Sequence, residues 1–210
     1  MYDLPSLVFM GTPEFALASL KGLLAAGAPI SLVITQPDRP KGRGRKMVAP
    51  PVKLLAQAEG IPVYQPQKVK SDEAIERIAA LTPACIVVAA YGQLLPGEIL
   101  ALPRLGAVNV HASLLPKYRG PAPIHWALIR GEEKTGITTM LMDIGMDTGD
   151  IHIMELIDSG DWGSRFRLRT PWGEVEAATP LPGRFNLYNV MAAAGLCGLL
   201  GLKTDAIAEG

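Results

Sequence analysis

The sequence predicts an α/β fold, a mostly parallel sheet with helices on both faces, followed by a β-hairpin and one helix. Three observations predict it. Short apolar or β-branched runs alternate with segments of helical periodicity as far as about residue 150. The changes of period fall at Gly, Pro or Ser. After Ile151 that rhythm stops, and two alternating runs around Pro171-Trp172-Gly173 precede an Ala-rich apolar stretch.

Ser6 to Met10 is a short apolar run ending in Gly11-Thr12-Pro13, which suits a buried strand turning into a helix that Pro can open. Phe15 to Leu24 carries helical spacing, with Gly27 just past its end. Ile30 to Thr35 is β-branched, hence a strand. Pro37 to Pro51, rich in basic residues, Gly and Pro, reads as a loop. Val52 to Ala58 is expected as a helix, Ile61 to Tyr64 as a short strand, and Asp72 to Ala80 as a helix capped by Ser71. Ala84 to Ala90 and Gly106 to His111 read as buried strands, Ile124 to Ile129 as a helix, and Gly136 to Met142 as a strand. Phe166 to Thr170 and Glu174 to Thr179 form the expected hairpin, and Gly183 to Leu200 the last helix. A domain boundary is expected near 151–161, giving units 1–151 and 152–210. In an open parallel sheet ligands sit at the carboxyl ends of the strands, so the segments after Met10, Ala90 and Val110 are the expected site walls.

Composition narrows the function. The chain has 210 residues, 49% hydrophobic and 19% charged, enough to bury a core without a metal or disulfide staple. Its 20 basic and 20 acidic residues cancel, which excludes a globally basic nucleic-acid binder and leaves only a local patch for such contact. Cys85 and Cys197 lie in apolar runs without metal-ligand spacing, so they read as buried thiols of a reducing compartment, and no metal site is expected. No signal peptide and no membrane-length apolar stretch is expected, so the reading is cytoplasmic.

Three clusters carry chemistry-bearing residue types. Asn109 and His111 stand two apart at the end of an apolar strand and share a face. Such a pair holds a carbonyl oxygen and manages a proton, or it caps the strand and satisfies loop backbone. Asp143 to Asp150 packs three aspartates and two glycines into eight residues, without the alternation and distal Glu of a hard-cation loop. Either Asp147 aims at a histidine, or the segment is a solvated turn with Asx hydrogen bonds. Arg39, Lys41, Arg43, Arg45 and Lys46, interleaved with Gly42 and Gly44, form the one concentrated basic patch, which suits a phosphate backbone or is a solvated loop.

Residues 1 to about 151 resemble the N-terminal catalytic domain of the methionyl-tRNA formyltransferase family. The resemblance rests on Met10-Gly11-Thr12-Pro13-Glu14-Phe15-Ala16, on Gln36-Pro37-Asp38-Arg39-Pro40 with Gly42-Arg43-Gly44, and on Val52-Lys53. It continues through Tyr91-Gly92-Gln93-Leu94-Leu95-Pro96, Asn109 to Pro116, Tyr118-Arg119-Gly120, Met142-Asp143 and Asp147-Thr148-Gly149. It implies a Rossmann-like formyltransferase sheet and formyl transfer from 10-formyltetrahydrofolate to initiator methionyl-tRNA, without a metal or a stable protein partner. It also implies Asn109, His111 and Asp147 as the catalytic set. Ser113, Leu114, Leu115 and Pro116, with Tyr91, Gln93 and Leu94, would bind the folate, and Arg39, Lys41, Arg43, Arg45 and Lys46 the tRNA.

The remainder is similar to the end of a Mur ligase central domain, the UDP-N-acetylmuramoyl-peptide synthetase kind. Phe166-Arg167-Leu168, Thr170-Pro171-Trp172-Gly173, and Leu181 to Asn186 with Asn189 and Ala192-Ala193 carry that likeness. The chain lacks that family's Gly-Lys-Ser/Thr phosphate loop. It therefore reads as composite. The alternatives to formyl transfer are a chimeric chain without catalysis and a fragment of an ATP-dependent peptidoglycan-precursor ligase.

Overall fold

Leu7–Gly11 (β1) is five consecutive residues that are all buried, as a parallel strand covered on both faces demands. The structure is a computed structural model and describes residues 6–42, 46–145, 147, 151–160, 163–170 and 173–179. Two units, Met1–Val108 and Asn109–Gly210, are each compact.

In the first unit, Ile30–Ile34 (β2) and Cys85–Ala89 (β6) flank β1 in parallel. Val63–Tyr64 (β5) adds to the far side of β2, also in parallel. Parallel neighbours need crossovers, and helices Glu14–Ala25 (α1), Pro51–Ala58 (α2) and Asp72–Ala79 (α3) supply them. Ser71 caps α3 as expected, its hydroxyl accepting from the Ala74 N–H at 3.4 Å. Cys85 is buried among apolar neighbours, which pushes its thiol up to about 12. Cys197 lies outside the described residues.

Gly11 ends β1 where the chain turns into α1. A Cβ there would stand 2.8 Å from the Ala16 Cβ and 3.0 Å from the Ala89 carbonyl oxygen. Only glycine lets helix start and neighbouring strand approach this closely, and the carboxyl end of the sheet stays open above them.

Two elements depart from the sequence expectation in this unit. The Pro37–Pro51 segment is not all loop, because Arg39–Lys41 (β3) and Lys46–Val48 (β4) pair antiparallel as a small ribbon. The ladder is made of backbone groups, so charged and proline residues mask it from an apolar-pattern reading. Gly97–Leu100 (α4), behind Pro96, is one turn long and too short to show periodicity.

The chain leaves the first unit within Ala107–His111 (β7), whose approach runs beside β6: Leu105 N–H donates to Ala84 O, and Ile86 N–H to Gly106 O. The second unit holds Pro123–Ile129 (α5) and Thr138–Leu141 (β8). Ile151–Gly160 (β9), Gly163–Thr170 (β10) and Gly173–Thr179 (β11) then follow as an antiparallel meander. Strand β9 pairs antiparallel with β8, Thr139 opposite His152 and Met140 opposite Ile151. The expected hairpin is β10 and β11, with Phe166 opposite Ala177 and Thr170 opposite Gly173. Strand β9 is an addition to the expected elements, since the loss of βαβ rhythm there reads equally as a linker. The helix expected over 183–200 lies outside the described residues.

Candidate active site

Asn109 and His111 leave β7 on one face, as their spacing requires, and Asp147 meets both. The Asn109 Nδ2 donates to Asp147 Oδ1 at 3.2 Å, and His111 Nδ1 lies 3.5 Å from Asp147 Oδ2. That same oxygen accepts the backbone N–H of Gly120 at 2.7 Å. His111 is 6% exposed. Its Nε2 stands 2.9 Å from the Tyr118 carbonyl oxygen, which can only accept. Both ring nitrogens therefore face acceptors.

Asp147 is held with φ of 54°, in the left-handed region that a short polar side chain tolerates better than a branched one. Asp143 behaves differently: its Oδ1 accepts from the Gly145 N–H at 3.0 Å, an Asx turn. Both readings of the acidic segment thus hold, each for a different aspartate. Asp150 lies outside the described residues.

The loop after His111 is stitched to β8. The Thr138 hydroxyl donates to Ser113 O at 2.7 Å and accepts the Leu115 N–H at 3.0 Å. Ser113, fully buried, donates its hydroxyl to Lys117 O at 2.6 Å. Leu114 lies over Gly136, where a Cβ would come within 2.6 Å of its Cδ2. Glu132 closes the loop, accepting from Tyr118 Oη at 2.6 Å and from Lys117 Nζ at 3.0 Å. Those two donors, the tyrosine first, hold the Glu132 carboxyl below its usual range. The residues that sequence reasoning missed are Thr138, Glu132 and the Gly120 amide. Gly120 belongs to the Tyr118-Arg119-Gly120 motif, but nothing in the sequence pairs Thr138 with Ser113.

In the first unit, Tyr91 is buried, which pushes its phenol up to about 12. Gln93 accepts the Val69 N–H at 2.8 Å and donates to Gln67 O at 3.3 Å, so its side chain braces a loop. Leu94 is 77% exposed. The basic patch is carried by the β3–β4 ribbon: Arg39 donates to Gln36 Oε1 at 3.1 Å and Lys46 is exposed. Lys41 lies in β3, while Arg43 and Arg45 lie outside the described residues. A cavity of about 390 Å³ opens between this ribbon and the ends of β1 and β6.

The ribbon is anchored at its base by Asp38, which accepts from Lys53 Nζ and from Gln65 Nε2, each at 2.8 Å. The Gln65 bond first, and then the Lys53 bond, lower the Asp38 carboxyl below its ordinary 3.8. A carboxyl lowered in the folded state stabilises it above its unfolded pKa, and that contribution is lost as pH falls through the folded value. The anchor should therefore hold above about pH 4 and release in more acidic solution. Carboxyl-carbon NMR should place the Asp38 midpoint below 3.8, and Gln65→Leu should raise it. An unmoved midpoint would reject the anchor.

Among the described residues no group of three or more His, Cys, Asp or Glu side chains is gathered as a metal site needs. Among them, too, no helix is long and apolar enough to cross a membrane.

A family model described as Formyl transferase matches residues 6–158. The chain belongs to the formyl transferase family. A second model, Mur ligase middle domain, matches residues 125–197, overlapping the first over 125–158. Methionyl-tRNA formyltransferase of Desulforamulus reducens is 59% identical over 154 residues, which is 73% of this chain and 49% of that protein. Methionyl-tRNA formyltransferase of Geobacter metallireducens is 56% identical over 155 residues, 74% of this chain and 50% of that protein. The chain thus spans about half the length of the curated relatives it matches. Among solved structures, a formyltetrahydrofolate deformylase from Pseudomonas syringae superposes with a TM-score of 0.60 at 19% identity, covering 95% of this chain and 62% of that one. Glycinamide ribonucleotide transformylase 1 from Symbiobacterium toebii gives 0.55 at 19% identity, covering 98% and 86%. Both share the formyl transferase fold with this chain.

Proposed function

We propose that this formyl transferase family member moves a formyl group from 10-formyltetrahydrofolate to the amino group of initiator methionyl-tRNA in the cytoplasm. One observation carries the reading: Asp147 binds Asn109, His111 and the Gly120 amide together at the end of β7. The relatives at 56–59% identity are methionyl-tRNA formyltransferases, which supports this acceptor.

Leu114, 41% exposed, leaves apolar surface that a folate can cover. Ser113, Leu114, Leu115 and Pro116 would hold it; Tyr91, Gln93 and Leu94 are given to folate by the resemblance alone. When bound, the folate supplies the formyl carbon and a nitrogen leaving group. Asn109 keeps one amide N–H beyond its bond to Asp147, and it donates that N–H to the formyl oxygen as charge develops there. His111 donates from Nε2 to the same oxygen, which requires it to leave the Tyr118 carbonyl. Asp147 orients His111 and, directly or through water, takes the proton of the attacking amine.

Residues 1–151 act as the catalytic domain in this reading, and 152–210 as an appended ligase-like segment. A direct assay of formyl transfer to methionyl-tRNA tests the whole. The Mur ligase middle domain match favours one second reading, a composite chain without catalysis, and an inactive but cooperatively folded protein would select it.

Arg39, Lys41 and Lys46 of the β3–β4 ribbon, together with Arg43 and Arg45, would grip the tRNA. Arg43→Ala should raise KM for charged tRNA and leave folate binding unchanged. Removing one cation that pairs with a phosphate should flatten the salt dependence of tRNA binding by about one unit of slope. Unaltered tRNA kinetics in that variant would sink the assignment.

A further inference from the structure

One turn touches both His111 and Asp147. The Tyr118 carbonyl stands 2.9 Å from His111 Nε2, and two residues on the Gly120 N–H donates to Asp147 Oδ2 at 2.7 Å. A carbonyl has no proton to give, so the first contact keeps a proton on Nε2. That is the nitrogen from which the proposed transfer needs a donor. Tyr118 is held with φ of 57°, in the left-handed region that a bulky side chain enters only at a cost. Something must hold it there, or the backbone relaxes and the carbonyl swings off the ring.

The hold comes from Glu132. The Tyr118 hydroxyl donates to Glu132 Oε1 at 2.6 Å, the short distance of a charge-assisted bond. That bond first, and then burial, raises the Tyr118 phenol above its ordinary 10.0, so the residue stays a neutral donor. Glu132 is placed in turn by the end of α5, where its backbone N–H donates to Ala127 O at 3.0 Å. Its second partner contributes less, because Lys117 is 64% exposed and an exposed ion pair is worth little. A carboxylate that merely tied down a surface loop could use any donor of the segment. Here it takes the one side chain whose own carbonyl faces the histidine.

We propose that Glu132 is a positioning residue for formyl transfer. Through the Tyr118 hydroxyl it holds the Tyr118 carbonyl against His111, which keeps Nε2 protonated and aimed until the formyl oxygen takes that carbonyl's place. The inference rests on the transfer reaction proposed above, and it gives a task to a carboxylate that the reaction itself leaves unused.

Ring N–H signals in ¹⁵N-edited NMR of the full chain, without folate or tRNA, give the first test. The chain has 3 histidines, and His111→Gln identifies the His111 signal by its loss. The parent should show a His111 Nε2–H protected from exchange with water, and Tyr118→Phe should lose it to exchange. Glu132→Leu should do the same, whereas Glu132→Gln, which keeps an acceptor for the hydroxyl, should retain it. Lys117→Met should leave the signal in place. In steady-state transfer, Tyr118→Phe and Glu132→Leu should lower kcat by about tenfold to a hundredfold, the scale of a misplaced catalytic group. Glu132→Gln should recover most of that loss. A protected Nε2–H that survives both Tyr118→Phe and Glu132→Leu would overturn the proposal and leave the transfer reading standing. A raised KM for the folate with kcat unchanged, the mark of a loop brace, would overturn it too. Loss of the signal as expected, in a chain that transfers no formyl group, upholds the positioning and defeats the catalytic reading alone.

Discussion

Asp147→Asn should lower the rate of formyl transfer by about a hundredfold to a thousandfold. The substitution keeps the shape of the side chain and removes its charge. An amide oxygen can still accept the Gly120 N–H now received at 2.7 Å, so the loop is expected to stay in place. The loss falls on His111, whose Nδ1 would face a neutral group in place of the carboxylate 3.5 Å away, and on Asn109, whose Nδ2 would meet the new amide NH2 in place of an acceptor. The ring then loses its charged orienting partner, and the donor to the formyl oxygen is weakened together with the acceptor for the amine proton. Steady-state rates with methionyl-tRNA at saturation measure the effect, and circular dichroism confirms the fold. A variant within about threefold of the parent would remove Asp147 from the mechanism, because an essential electrostatic partner is worth far more.

Thr138→Val should destabilise the chain by about 2–6 kcal/mol, the largest stability effect expected from one atom-for-atom exchange at the site. Thr138 is 3% exposed, and its hydroxyl is the shared partner of Ser113 O and Leu115 N–H. Valine fills the same volume and leaves both backbone groups buried without a partner, at about 1–3 kcal/mol each. Urea unfolding gives the number, and Thr138→Ser, which keeps the hydroxyl, should recover most of it. A loss below about 1 kcal/mol would show that the backbone groups find other partners. The same loosening should raise KM for the folate, since Ser113 to Pro116 depend on this tie for their position.

Much of this is legible in the chain itself. The parallel core reads directly because β1 and β6 are continuous apolar runs, buried throughout, between helices with recognisable ends. Asn109 and His111 can be placed on one face from their spacing alone, since a strand alternates by two. Asp147 is another matter. It lies 36 residues beyond His111, in a turn whose three aspartates are chemically equivalent until the fold selects one. Thr138 is invisible for the same reason: a hydroxyl on a strand announces nothing about which loop it will bind. The β3–β4 ribbon escapes because its cations and prolines dominate the pattern while its pairing uses only backbone.

The pairing of β8 with β9 bears on how such a chain could arise. A strand joins a sheet margin through main-chain amides and carbonyls, which every residue but proline supplies alike. Descent by recombination therefore meets its lowest barrier at a sheet margin, where incoming sequence must match a hydrogen-bond rhythm and little else. The overlap of the two family matches, 125–158, contains both partners of that pair. A gene spliced there would inherit a ready acceptor for its first new strand, and natural selection could then refine the side chains at leisure.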